Sequence, residues 1–185
     1  MSPDGLRGAE WILAGYPFEL GGLPVAWQLS ARPHPASALT EWTAYFTAGL
    51  PHEALTDFLL ALDTPDAGLE DTESVLTALT ARGWLRDRDR PQAAATDPGL
   101  STSVSLEMLP PLIHDADPRD DLLGWQAWAE PVLGAPYLWC ASFSASAPHE
   151  LVAAFASSLA APGPVPRRVL PDGAEERLTV VRRGR

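Results

Sequence analysis

Residues 42–53 read WTAYFTAGLPHE, and residues 139–150 read WCASFSASAPHE. The two stretches are 97 residues apart (139 − 42 = 97), and the match continues at the same spacing through Phe58 and Phe155. Similarity at a constant spacing over so many positions is the signature of a repeated structural unit. We therefore predict that the chain contains two copies of one fold.

Each copy changes its periodicity at a proline. Trp, Ala and Phe at alternate positions predict a strand with one apolar face. The following Pro and Glu predict a helix start, because Pro suits the first helical position and a carboxylate is stabilised near the helix N-terminus. The motif comprises Trp42, Ala44, Phe46, Pro51, Phe58 and Leu62 in the first copy, and Trp139, Ala141, Phe143, Pro148, Phe155 and Leu159 in the second.

Two more strands are predicted upstream in each copy. Trp27 and Trp125 each begin an alternating apolar stripe, and a Pro/Asp/Gly turn precedes a further strand. Only the second copy has a leading helix, at 72–83, with Val75, Leu76 and Leu79 on one side and Gly83 as its stop.

The predicted architecture is an α+β protein of two similar units. Each unit is a small antiparallel sheet of three to four strands followed by a helix on one face, and the units form a pseudo-twofold pair because small sheets have exposed edges. The first repeat covers 1–66 and lacks its leading helix and strand; the second covers 72–162. A Pro- and Arg-rich tail at 163–185 has the turn chemistry of a terminal hairpin.

This pattern resembles an actinobacterial family known as domain of unknown function 317. The resemblance rests on Trp-x-Ala-x-Phe, four residues, Pro-x-Glu and the apolar helix that follows. The Ser-Pro-Asp-Gly turn at 2–5 and the helix end Leu-Thr-Ala-Arg-Gly-Trp at 79–84 are also similar to it. Members often carry the module twice. The resemblance implies this fold in tandem and implies no catalytic residue or ligand.

The composition indicates a globular, acidic, cytoplasmic protein. The formal net charge is −11, which disfavours nucleic acid and anionic membranes at long range. No apolar run approaches the length of a membrane span, and the N-terminus has no secretory signal. The single cysteine, Cys140, excludes an internal disulfide, and its place in a strand pattern predicts a core residue.

The repeated His-Glu pairs are candidate binding residues; no catalytic residue is predicted, and a catalytic role for the pairs belongs only to an enzyme alternative. They are His52 with Glu53, and His149 with Glu150. A His beside a carboxylate can act as a general base. Because adjacent helical residues point about 100° apart, we do not expect the two members of a pair to orient each other. The favoured interpretation is a first-turn charge beside an exposed His. The histidine spacing predicts no metal site, and no cofactor motif is present.

Two further groups are candidate binding residues. Trp128 is out of phase with the apolar stripe of its strand, so we expect it to face away from the core, at an interface between the copies or with a partner. The tail offers Arg167, Arg168, Arg182 and Arg183, for which a solvated tail is the simpler interpretation. The repeated tryptophans Trp27, Trp42, Trp125 and Trp139 are predicted to be core residues.

Three functions stay open. The preferred hypothesis is a non-enzymatic cytoplasmic interaction or scaffold protein, because the chain has no bond-making motif and its acidic surface selects a basic or neutral protein partner. The second is single-stranded nucleic-acid binding through sheet aromatics and the Arg-rich tail. The third is an enzyme that uses the repeated His-Glu helix starts.

Overall fold

The computed structural model describes residues 5–12, 18–62, 72–107, 123–132 and 134–161. These residues form nine strands and three helices. In chain order they are β1 (Arg7–Trp11), β2 (Glu19–Leu20), β3 (Leu23–Ala31), β4 (Trp42–Thr47), α1 (His52–Ala61), α2 (Thr72–Thr80), β5 (Leu85–Arg86), β6 (Ala94–Thr96), β7 (Thr102–Glu107), β8 (Gly124–Ala129), β9 (Trp139–Ser144) and α3 (His149–Leu159).

The strands make one antiparallel sheet, which confirms the α+β prediction. Its order is β1-β3-β4-β9-β8-β7-β6-β5, and the short β2 pairs with β3. Each repeat therefore contributes one continuous part of the sheet, joined through β4 and β9. The second part has five strands, because β5 and β6 precede the β7-β8-β9 set that matches β1-β3-β4.

The helices α1 and α3 begin one residue after the prolines that were predicted to be their first residues. Both Pro51 and Pro148 are N-cap residues, so the helices begin at His52 and His149 rather than at the prolines. Glu53 and Glu150 lie in the first turns, where a carboxylate is stabilised by the helix dipole.

The helices all contribute to the main hydrophobic core. Along this layer α3 packs between α1 and α2. The leading helix of the second repeat, α2, buries Val75, Leu76 and Leu79 as predicted. It ends three residues earlier than predicted, at Thr80, and Gly83 turns the chain toward β5 with a φ of +89°.

The centre of the core is a cluster of four phenylalanines, two from each repeat. Phe46 lies 5.5 Å from Phe143 and 6.0 Å from Phe155 between ring centroids. Phe58 likewise lies 5.5 Å from Phe143. All four rings are fully buried. Because each repeat fills the core of the other, the described part of the chain forms one shared core.

Some predictions lie outside the described residues. These are most of the Ser-Pro-Asp-Gly turn at 2–5, of which only Gly5 is described, and the hairpin predicted in the tail at 163–185. The four tail arginines Arg167, Arg168, Arg182 and Arg183 belong to that last segment.

Candidate functional site

The first His-Glu pair differs from the prediction. His52 Nε2 lies 3.0 Å from Glu53 Oε1, so the two side chains do orient each other. The prediction from helical geometry was wrong because these residues begin the helix, where no preceding turn restricts their rotamers. The His52 side chain is 67% exposed, as predicted for an exposed first-turn histidine.

The second pair has a different environment. His149 is half-buried, so the prediction of an exposed histidine is wrong for this copy. Its Nδ1 accepts a hydrogen bond of 3.1 Å from the indole Nε1 of Trp125, which is buried. A buried indole N–H needs an acceptor, and His149 provides it. We therefore assign His149 a structural contact, with Glu150 in the first turn beside it.

The fold separates the two pairs. The helices α1 and α3 follow β4 and β9, which are antiparallel neighbours, so the helices start at opposite ends of these strands. Six-residue strands are about 20 Å long. A shared pocket containing both histidines, which the enzyme hypothesis requires, is therefore not formed by the described residues.

The repeated tryptophans lie on the helix-covered face. Trp42, Trp125 and Trp139 are buried, and Trp27 is half-buried against the same core. Base stacking requires an open aromatic face. These four rings do not provide one, except for the accessible part of Trp27.

Trp128 lies on the opposite face of the sheet, as predicted. It is directly across from Cys140 and packs in a second cluster with Val25 and Tyr45. The cluster combines residues of β3, β4, β8 and β9, and a binding role for Trp128 stays a prediction. Cys140 is buried there, as expected of a core thiol, and desolvation raises its pKa to about 11. A thiol with this pKa is a poor nucleophile at neutral pH.

Surface ion pairs support the second repeat. Arg86 pairs with Glu73 of α2, and this hydrogen bond lowers the pKa of the carboxyl group. Arg90 lies 3.1 Å from Glu107 and lowers the pKa of that carboxyl group in the same way. These groups are largely exposed, so they stabilise the surface only modestly and do not form a reactive centre.

Five apolar residues on β1, β3 and α1 were not predicted as a binding site. We call Ala9, Trp11, Trp27, Leu55 and Leu59 the repeat-one surface. Trp11 pairs with Trp27 across β1 and β3, and their rings meet edge to face with centroids 4.7 Å apart. Trp11 is 57% exposed, and Leu55 and Leu59 are only half-buried.

The same positions are more buried in the second repeat, although Leu106, which corresponds to Trp11 by sheet register, is itself half-buried. The counterparts of Leu55 and Leu59 are Val152 and Ala156, at the spacing of 97, and both are fully buried. Ala9 pairs with Leu29, and Val104 pairs with Ala127, which is the counterpart of Leu29, so Val104 occupies the position of Ala9 in the second repeat. Val104 is 1% exposed, whereas Ala9 is exposed.

The helix α2 accounts for this contrast, because it packs beside α3 while no described helix occupies the matching place beside α1. The signal in the sequence was the leading helix predicted for the second repeat at 72–83.

Two general findings limit the chemistry of the described residues. Within 5–12, 18–62, 72–107, 123–132 and 134–161, no three His, Cys, Asp or Glu side chains come close enough together to hold a metal ion. Among the same residues, no helix is long and apolar enough to cross a membrane.

The fold defines an α+β protein whose antiparallel sheet has helices packed on one face; among the described residues, none of these helices packs on the part of that face nearest β1. The chain belongs to the family described as SPDY, a domain of unknown function (DUF317), whose model matches residues 1–68 and 111–165. The matched segments contain β1 to α1 and β8 to α3. No curated protein and no solved structure matches the chain.

Proposed function

We propose that this chain is a non-enzymatic, cytoplasmic protein-interaction module that binds a partner through the repeat-one surface. One observation carries the proposal: the positions of Ala9, Leu55 and Leu59 are exposed or half-buried in the first repeat, whereas their counterparts in the second repeat are buried. Scattered exposed apolar residues need no explanation, but a contiguous patch that includes a tryptophan is typical of an interface.

A duplication would explain how the repeat-one surface arose. We propose that a single actinobacterial module was duplicated and that the copies are related by a pseudo-twofold axis near Tyr45 and Ser142. The β4–β9 register supports this, because Ala44 faces Phe143 while their counterparts, Ala141 and Phe46, face each other. Among the described residues only the second copy has a helix in this position, α2, and this asymmetry leaves the surface of the first copy open to a partner.

Electrostatics favour a basic or neutral partner. Residues 1–66 contain eight Asp and Glu against two Arg, a local charge of −6. A segment with this net charge attracts basic proteins and repels nucleic acid at long range.

Affinity capture with three baits tests the proposal. The baits are the full chain, its Trp11→Ala variant and the matched control Leu39→Ala, which alters an exposed apolar residue in the β3–β4 loop. From an extract of the encoding organism, we expect the same protein to be retained by the full chain and by Leu39→Ala, and at least ten-fold less by Trp11→Ala.

Retention that is equal for all three baits would contradict the proposed site. Salt-sensitive quenching of tryptophan fluorescence by single-stranded oligonucleotides, in the absence of any captured protein, would favour the nucleic-acid alternative instead.

A further inference from the structure

The second repeat shows which kind of element packs at the position equivalent to the repeat-one surface. In the second repeat the occupant is α2, a nine-residue amphipathic helix. Its buried residues are Val75, Leu76 and Leu79, all completely inaccessible to solvent, at positions i, i+1 and i+4. This spacing places the three aliphatic side chains on one face of the helix.

The dimensions of the repeat-one surface match a helix of that length. The strand β1 has five residues and α1 has ten, which correspond to about 16 Å and about 15 Å. A nine-residue helix is about 14 Å long. A partner helix of about three turns therefore spans the surface from Ala9 and Leu59 at one end to Trp11 and Leu55 at the other.

We propose that the repeat-one surface binds a basic amphipathic helix of a partner protein, which packs beside α1 as α2 packs beside α3 in the second repeat. This inference rests on the proposed function and specifies its partner. The helix presents aliphatic side chains at i, i+1 and i+4 toward Trp11, Leu55 and Leu59, and it carries Lys or Arg on its remaining faces.

The apolar stripe provides the affinity. Burying Trp11 and the half-buried leucines removes apolar area from water, and aromatic anchors dominate the energetics of such interfaces. Binding a helix in a preformed apolar groove is an established mode of peptide recognition.

The basic faces provide selectivity. The charge of −6 on residues 1–66 attracts a cationic helix and repels an anionic one, and the effect weakens as salt is added. We therefore expect binding to depend both on the aliphatic stripe of the partner helix and on the positive charge of its other faces.

Three synthetic peptides of about 18 residues test the proposal against the full chain. The first repeats the Val-Leu-x-x-Leu stripe with Lys at its other exposed positions, the second has the same stripe with Glu, and the third scrambles the first. Binding is measured by fluorescence anisotropy of a labelled peptide at low and physiological salt. We expect the Lys peptide to bind at least ten-fold more tightly than either of the others.

Variants locate the binding site. Trp11→Ala should weaken binding of the Lys peptide at least ten-fold, whereas Leu39→Ala should change it less than two-fold. A second matched pair uses neighbours on α1: Leu59→Ser removes a half-buried residue of the repeat-one surface, and Leu60→Ser alters one that is largely exposed. Thermal unfolding of each variant confirms that it is folded.

Several results would overturn the proposal: equal binding of the scrambled peptide, binding unaffected by Trp11→Ala, or equal binding of the Glu peptide. A dimer of the full chain in sedimentation that Trp11→Ala abolishes would assign the surface to a second copy. A ten-fold gain in affinity on deletion of residues 163–185 would assign it to the tail of the chain.

The two proposals fail in distinguishable ways. If protein capture depends on Trp11 but no peptide binds, the interaction function stands and the helical partner is wrong. If capture does not depend on Trp11, both are wrong.

Discussion

The indole Nε1 of Trp125 donates a hydrogen bond of 3.1 Å to Nδ1 of His149, with the two rings perpendicular. The counterparts in the first repeat, Trp27 and His52, have other neighbours: Trp27 meets Trp11, and His52 meets Glu53. Identical residues therefore have different roles in the two repeats, because only the second repeat encloses its tryptophan.

This difference predicts unequal effects of the same substitution. His149→Ala leaves the buried Trp125 N–H without its acceptor, and we expect the free energy of unfolding to fall by about 1–2 kcal/mol. His52→Ala is the matched control, because it changes an exposed residue at the same helical position, and we expect less than about 0.5 kcal/mol. Urea unfolding followed by circular dichroism measures both, and equal losses would argue against a structural role for this hydrogen bond.

A second prediction concerns the start of β8. Gly124 has a φ of +116°, and a Cβ there would collide with the carbonyl oxygen of Phe143 and lie 2.6 Å from the amide nitrogen of Ala145. Gly124→Ala should therefore destabilise the fold by more than about 3 kcal/mol, since both backbone strain and displacement of β9 contribute.

Gly22 provides the control for backbone strain alone. Its φ is also positive, at +76°, but no atom lies within 4 Å of the added Cβ. We expect Gly22→Ala to cost on the order of 1 kcal/mol. Similar thermal midpoints for the two variants would show that β9 accommodates a methyl group at Gly124.

The reactivity of Cys140 follows from its burial. Because desolvation raises its pKa from 9.0 to about 11, the thiolate fraction at pH 8 falls about 100-fold. We expect a disulfide reagent such as DTNB to react at pH 8 at least 100-fold more slowly with the folded chain than with the chain in denaturant. A ratio below ten would show that the second cluster opens readily.

Acid should weaken the second repeat through Glu107. The hydrogen bond from Arg90 lowers the pKa of this carboxyl group in the folded state, so its stabilisation is present above the ordinary value near 4.5 and is lost as the pH falls below it. Glu107→Gln should be less stable than the original chain at pH 7, by under about 1 kcal/mol, and equally stable near pH 3.

Arg90→Gln provides the companion measurement, because it removes the other member of the pair. Its stability difference should follow the same pH dependence in guanidinium unfolding. A difference that persists near pH 3 would attribute the loss to packing rather than to the ion pair.

The shared phenylalanine core predicts that the repeats depend on each other. Phe46 of the first repeat contacts Phe143 and Phe155 of the second, so separation exposes all three rings. We expect fragments 1–70 and 71–185 to be unfolded alone and to recover strand and helix signals in circular dichroism when mixed. Cooperative unfolding of either isolated fragment would show that one repeat is sufficient.

Local structure was largely predictable. The alternation of Trp42, Ala44 and Phe46 gave a strand, and the proline that follows marked the helix start to within one residue. The aliphatic face of α2 was also predicted correctly. These features depend on side-chain periodicity and on the backbone preferences of proline and glycine, which act over a few residues.

The candidate site was much less predictable. Trp128 was expected on the free face and lies there, but its contact with the first repeat depends on β2 and β3 folding over the same region. Trp11 lies outside the repeated motif. No described helix packs beside it, and a strand pattern does not record what packs on its face.

The sequence by itself determined that two similar strand-to-helix units exist and which side of each element is apolar, because periodicity and turn chemistry are local properties. Only the tertiary structure decided that β4 and β9 join the units into one sheet, that His149 rather than His52 supports a buried indole, and that, among the described residues, the repeat-one surface is more exposed than its counterpart in the second repeat. The physical reason is that burial is a property of neighbours distant in sequence, so equivalent residues in two copies differ once α2 covers only one of them.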